Sequence, residues 1–171
     1  MLFRITLLLI LLSLLSSCRS NEPGPAVNGK PEQNQMEELN RYLIRKDRER
    51  IQNYIERKGL QMTESPTGLW YQIISQGEGN FIDNNRIVME YDCSLLDGTK
   101  CYSSEDLGPM EVIPGRTSIP AGLYEGFRML KPGAKAIFIL PPFLAFGLPG
   151  DGKKIPPGSV VIYNVDILRA E

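Results

Sequence analysis

The rhythm of apolar positions changes twice along the chain, and each change marks a different kind of segment. Ile5 to Leu15 is almost wholly aliphatic and follows Arg4 and the amino terminus. A run of about 11 residues is too short to cross a bilayer comfortably but suits the core of a signal peptide, here residues 1–17. Residues 19–34 carry Pro23, Pro25, Pro31, Gly24 and Gly29 with almost no apolar side chains, which predicts a disordered tether over 18–34. From Gln35 onward, Met36, Leu39, Leu43, Ile51, Tyr54 and Ile55 recur at three- and four-residue spacings, interrupted at Asp47. This predicts a charged helix over 35–59 that stops at Gly59. The stripe lacks sustained heptads, so it is expected to pack on the domain rather than pair with a second copy.

Beyond Gly59 the period shortens to that of strands. Gly68 to Ile74 and Arg86 to Tyr91 are β-rich, and Asp97-Gly98 between Leu95-Leu96 and Cys101-Tyr102 signals a hairpin. One helix interrupts the strands, with Pro120 near its start, Leu123, Phe127 and Leu130 on its apolar face and Lys131-Pro132-Gly133 at its end. Lys135 to Leu140 and Ser159 to Leu168 complete the set, separated by a Pro- and Gly-rich loop. Antiparallel strands around one helix make an α+β domain over 60–171.

Composition narrows the chemistry. The 171 residues include 42% hydrophobic and 23% charged side chains, enough for one core rather than two. The net charge is −1, so no basic excess exists to track a phosphate backbone, and nucleic acid is not an expected partner. With no histidine, every Ser-His-Asp or Cys-His mechanism and every His-ligated metal is excluded. Three cysteines cannot build an all-thiolate zinc site, and neither metal nor cofactor is expected. Cys93 and Cys101 lie on opposite arms of the Asp97-Gly98 hairpin. A two-residue turn would set Cys93 against Tyr102 and a bulge would set it against Cys101; two buried free thiols are favoured over a bridge. Asp151, Lys153 and Lys154 read as a solvated loop.

Two resemblances extend this reading. Leu15-Ser16-Ser17-Cys18 resembles the lipobox of bacterial lipoproteins, which implies cleavage before Cys18, acylation of that residue and a membrane partner through the lipid. The absence of aspartate after Cys18 favours the periplasmic face of an outer membrane. The ordered set Tyr91, Leu95, Asp97-Gly98-Thr99, Ser103-Ser104, Glu125-Gly126, Lys131-Pro132-Gly133, Leu140-Pro141-Pro142, Ala145-Phe146-Gly147 and Ile155-Pro156-Pro157-Gly158 resembles the FKBP-type peptidyl-prolyl isomerases over residues 66–169. Within that family, Tyr102 to Gly108 and the lipobox look most like gliding-motility-associated lipoproteins of Bacteroidota. The resemblance implies an FKBP-like antiparallel sheet wrapped around one short helix, and isomerase activity on X-Pro bonds of exported polypeptide clients during periplasmic folding.

Carried over residue by residue, the resemblance puts Tyr91, Phe146 and Ile119 at catalytic positions. Cys101, Tyr102, Met110, Val112, Leu123, Ile155 and Tyr163 fall on the substrate pocket. Several depart from the family pattern. Cys101-Tyr102 stands for a Phe-Asp pair, Met110 for an aromatic, Leu123 for a tryptophan, Tyr163 for a phenylalanine and Phe146 for a tyrosine, so activity is expected to be reduced. Counting without a gap puts Pro120, which lacks an N–H, at the family's backbone donor; an extra residue at Ala121 restores Ile119. Both registers are open at this point. The alternative function is a non-catalytic FKBP-like chaperone or assembly factor of the cell envelope, and a monomer is expected.

Overall fold

The computed structural model describes residues 31–171, and the expectations for the signal peptide, Cys18 and most of the tether lie outside them. The chain divides into two units, residues 1–37 and the larger body Glu38–Glu171. Of the first unit only the start of helix α1 (Pro31–Lys58) is described. That helix begins four residues before the expected Gln35, because proline at the first helical position loses no intrahelical bond and its fixed φ already suits the helix. Among the described residues no helix is long and apolar enough to cross a membrane.

The body is one seven-stranded antiparallel sheet. Strands β1 (Thr63–Glu64), β2 (Trp70–Ser75), β6 (Lys135–Leu140), β7 (Val161–Ala170), β3 (Ile87–Leu95) and β4 (Lys100–Ser103) lie in that order, and β5 (Met110–Val112) pairs with β3. Helices α2 (Ser104–Leu107) and α3 (Ala121–Phe127) and a 3-10 turn (Pro142–Leu144) complete it. The α+β expectation therefore holds. β1, β5, α2 and the 3-10 turn, each two to four residues long, were not legible as elements, since so few residues carry no period.

Period-two patterning decides which side of each strand faces inward. In β3, Ile87, Met89, Tyr91 and Cys93 are buried while Glu90 and Asp92 are exposed. The inner core joins these residues to Val161, Tyr163, Val165 and Ile167 of β7, Phe138 and Leu140 of β6, and Leu123 and Phe127 of α3. Seven residues are too few to hold a helix by propensity, so α3 depends on packing. Its Gly122 and Gly126 permit that approach: a Cβ on Gly126 would lie 2.6 Å from the Phe138 ring, and one on Gly122 would lie 2.8 Å from Leu140. Leu130, expected on the helical face, is buried just beyond the helix end.

On the outer face, α1 covers one end of the sheet. Ile51 packs with Ile139, Val160 and Ile162, flanked by Tyr54, Ile55 and Trp70, and Arg48 pairs with Glu64 at 2.5 Å. The expectation that the stripe packs on the domain holds for this half of the helix. Leu39, Tyr42 and Ile44 in the preceding turns are exposed.

Candidate functional site

The β3–β4 hairpin carries Tyr91, Cys101 and Tyr102 to the inner apolar cluster. Gly98 N–H donates to Leu95 carbonyl and Leu95 N–H to Thr99 carbonyl, closing a three-residue loop with Gly98 at φ +92°. The pairing then steps from Ser94↔Lys100 to Cys93↔Tyr102, so Cys101 is the extra residue of a bulge. Cys93 thus opposes Tyr102 rather than Cys101, and both cysteines are buried free thiols. Ser104 Oγ holds the wall in place by accepting from the Tyr91 N–H and donating to the Tyr91 carbonyl at 3.1 Å.

All ten residues expected at the site join one apolar cluster. Tyr91, Cys101, Val112, Leu123, Ile155 and Tyr163 are buried in it, and Tyr102, Met110, Ile119 and Phe146 pack against it half-buried. The Tyr91 and Tyr163 rings lie 6.4 Å apart. Helix α3 starts at Ala121 with Pro120 as its N-cap, so Leu123 sits fully buried in its first turn. The Ile119 N–H makes no hydrogen bond among the described residues. A cavity of about 470 Å³ opens on the outer face and touches only Tyr91 of the ten. Both of its lysines are paired, Lys135 with Asp166 at 2.5 Å and Lys100 with Glu105 at 3.0 Å and Asp92 at 3.5 Å.

Electrostatics separate the wall from the rim. Burial pushes the Cys93 thiol up to about 12, against the opposing pull of a hydrogen bond with the Tyr163 hydroxyl. Burial likewise raises Tyr91 and Tyr163 above the ordinary phenol range. These groups stay neutral at physiological pH, as an apolar floor requires.

The rim departs from expectation at Asp151, which is no idle loop charge. Its carboxylate accepts from the Tyr102 hydroxyl, and from the Lys153 and Ile155 N–H groups at 2.8 Å each. Desolvation pushes this carboxyl up, but those three hydrogen bonds outweigh it and hold it below the usual range. The same bond raises Tyr102. The Cys101 thiol donates to the Lys154 carbonyl at 3.6 Å, and the Lys154 ammonium lies 5.3 Å from the centre of the Tyr102 ring. Asp151, two residues before a Lys-Lys pair and far in sequence from Tyr102, gave no signal beyond the turn chemistry of Gly150-Asp151-Gly152. Gly150, at φ +71°, is required there, because a Cβ would lie 2.3 Å from the Ile155 carbonyl oxygen.

Both the sequence and the fold that carries this apolar cluster match known proteins. The family model described as FKBP-type peptidyl-prolyl cis-trans isomerase matches residues 78–168. The chain belongs to this family. The FKBP-type peptidyl-prolyl cis-trans isomerase FkpA of Aeromonas hydrophila is 38% identical over 117 residues, covering 68% of this chain and 42% of that protein. FkpA of Escherichia coli K12 is 33% identical over 133 residues, covering 72% and 44%. The chain therefore spans less than half the length of these two relatives. The crystal structure of FkpA from Escherichia coli superposes with a TM-score of 0.65 at 30% identity, over 81% of this chain and 64% of that one. The family match takes in β3 to β7 and helix α3, and β1 and β2 precede it.

Proposed function

We propose that this FKBP-type chain is a peptidyl-prolyl cis-trans isomerase acting on exported polypeptides. The observation that carries the reading is the gathering of Tyr91, Leu123, Phe146, Ile155 and Tyr163 in one apolar cluster, with Ile119 packed against it and its N–H unbonded among the described residues. An X-Pro amide rotates over a barrier of about 18–20 kcal/mol because its planar form is resonance-stabilised. The twisted form has lost that resonance and much of its dipole, so an apolar surround disfavours it less than the planar form. The buried walls grip the pyrrolidine ring, and Ile119, not the N–H-less Pro120, donates to a substrate carbonyl. Each 1.36 kcal/mol of selective stabilisation gives about tenfold in rate. Tyr102 and Met110, half-buried against the cluster, stand where the resemblance puts an acid and an aromatic, so we infer a reduced rate.

A proline-limited refolding assay tests this directly. The refolding rate should rise in proportion to added protein. A rate that stays at the uncatalysed value, with a time constant of about tens to hundreds of seconds, would overturn it. The clasp of Tyr102 across the rim favours a second reading, a non-catalytic binder of exposed chain, and that flat response is what it predicts.

We place the protein at the cell envelope, acylated at Cys18, on the periplasmic face of the outer membrane and within the gliding-motility-associated group. The lipobox and the Tyr102 to Gly108 segment support this placement. Cys18→Ala should release the protein from the detergent-requiring membrane fraction, and retention there would remove the anchor. Normal colony spreading by a deletion strain would remove the motility link.

A further inference from the structure

A set of contacts at the rim goes beyond gripping proline. The loop carrying Ile155 is tied to β4 at three points: the Tyr102 hydroxyl on Asp151, the Cys101 thiol on the Lys154 carbonyl, and the Lys154 ammonium over the Tyr102 ring. Asp151 also accepts both the Lys153 and Ile155 N–H groups, so its carboxylate is saturated within the loop. Lys154 is exposed and lies within ion-pair distance of no carboxylate among the described residues. An ammonium with no ion-pair partner is thereby held over the Tyr102 ring, while the backbone carbonyl of the same residue takes the Cys101 thiol and its chain neighbour is Ile155.

Resting on the isomerase reading, we propose that Lys154 determines substrate specificity and favours X-Pro bonds in which the residue preceding proline is acidic. Asp151 acts as its positioning residue, through Tyr102. The apolar concavity takes the proline ring whatever its neighbour, while a carboxylate beside it meets the ammonium at the mouth and a substrate lysine is repelled. Because the pair is solvent-exposed, the preference is modest, about twofold to fivefold per charge.

The test uses the full protein and three peptides that differ only before proline, in Glu, Gln or Lys. The parent should isomerise the Glu peptide about twofold to fivefold faster than the Gln peptide in kcat/KM, with Lys slowest, through KM rather than kcat. Raising salt to about 1 M should collapse the ratio, because a Debye length of about 3 Å screens exposed charges. Lys154→Glu should invert the order of the Glu and Lys peptides, and Lys154→Gln should level it. These are ratios within one protein, so a change in overall rate does not disturb them. Equal rates for all three peptides in the parent, or an order that survives both high salt and Lys154→Glu, overturn the proposal and leave the isomerase standing. Absence of acceleration with every peptide overturns the isomerase reading itself.

Discussion

The buried wall of the candidate site differs from its rim in how it is held. Tyr91, Leu123 and Tyr163 are buried by packing from β3, α3 and β7, and their positions follow from the sheet and helix that carry them. Tyr102, Asp151 and Lys154 are held by hydrogen bonds and a cation over a ring, between β4 and a loop with no regular structure. Walls built from the core cannot be changed without charging the cost to the whole fold. A rim built from polar contacts can be retuned locally.

The largest effect that would break this contrast lies in the wall. Leu123→Ala should destabilise the protein by about 2–5 kcal/mol in urea unfolding, with activity falling as the folded fraction falls. Activity lost while stability held would mean that the wall has a chemical task apart from packing. Gly150→Ala comes next, since a new Cβ at positive φ would run into the Ile155 carbonyl. Strain and displacement there should cost about 1–3 kcal/mol, and peptide discrimination should drop with it.

Tyr102→Phe sharpens the comparison. It removes one hydrogen bond at a half-exposed rim, worth about 0.5–1.5 kcal/mol at most, so the melting temperature should move little while the kinetic constants shift more. A stability loss as large as that of Leu123→Ala would put Tyr102 in the core. Acid titration gives a smaller signal. The Asp151 carboxyl is lower in the folded state than its ordinary unfolded value of about 3.9, so its contribution is present above that pH and is lost as pH falls through the folded value. The stability difference between the parent and Asp151→Asn should therefore narrow below about pH 4, and a constant difference from pH 6 to 3 would assign the clasp no charge. The smallest effect concerns Cys93. Raised to about 12 and buried, it should resist thiol reagents at pH 8 until the protein unfolds, and rapid labelling would show that the wall opens.

Much of the wall was legible before any coordinates. Tyr91, Tyr163 and Leu123 sit at inward positions that period-two strands and a short amphipathic helix dictate, and the order of short motifs placed them in one family. The Cys93–Tyr102 pairing was legible as the register of a two-residue turn, but the chain reaches it through a three-residue loop and a bulge at Cys101, and a bulge was expected to set Cys93 against Cys101 instead. Ile119 was ambiguous for a similar reason. One residue of helix start decides whether it or Pro120 faces the site, and the apolar pattern around Ala121 fits both.

Sequence alone determined the α+β class, the strands and helix that are long enough to show a period, and the exclusion of imidazole chemistry, because each depends on residue type and local spacing. Tertiary structure decided the clasp. Tyr102 and Asp151 stand 49 positions apart and Cys101 and Lys154 stand 53 apart, with no period linking them. Whether a carboxylate in a Gly-rich loop is solvated or saturated depends on which phenol and which N–H groups the folded chain brings to it. Folding over β4 turned a run of loop charges into the rim of a site.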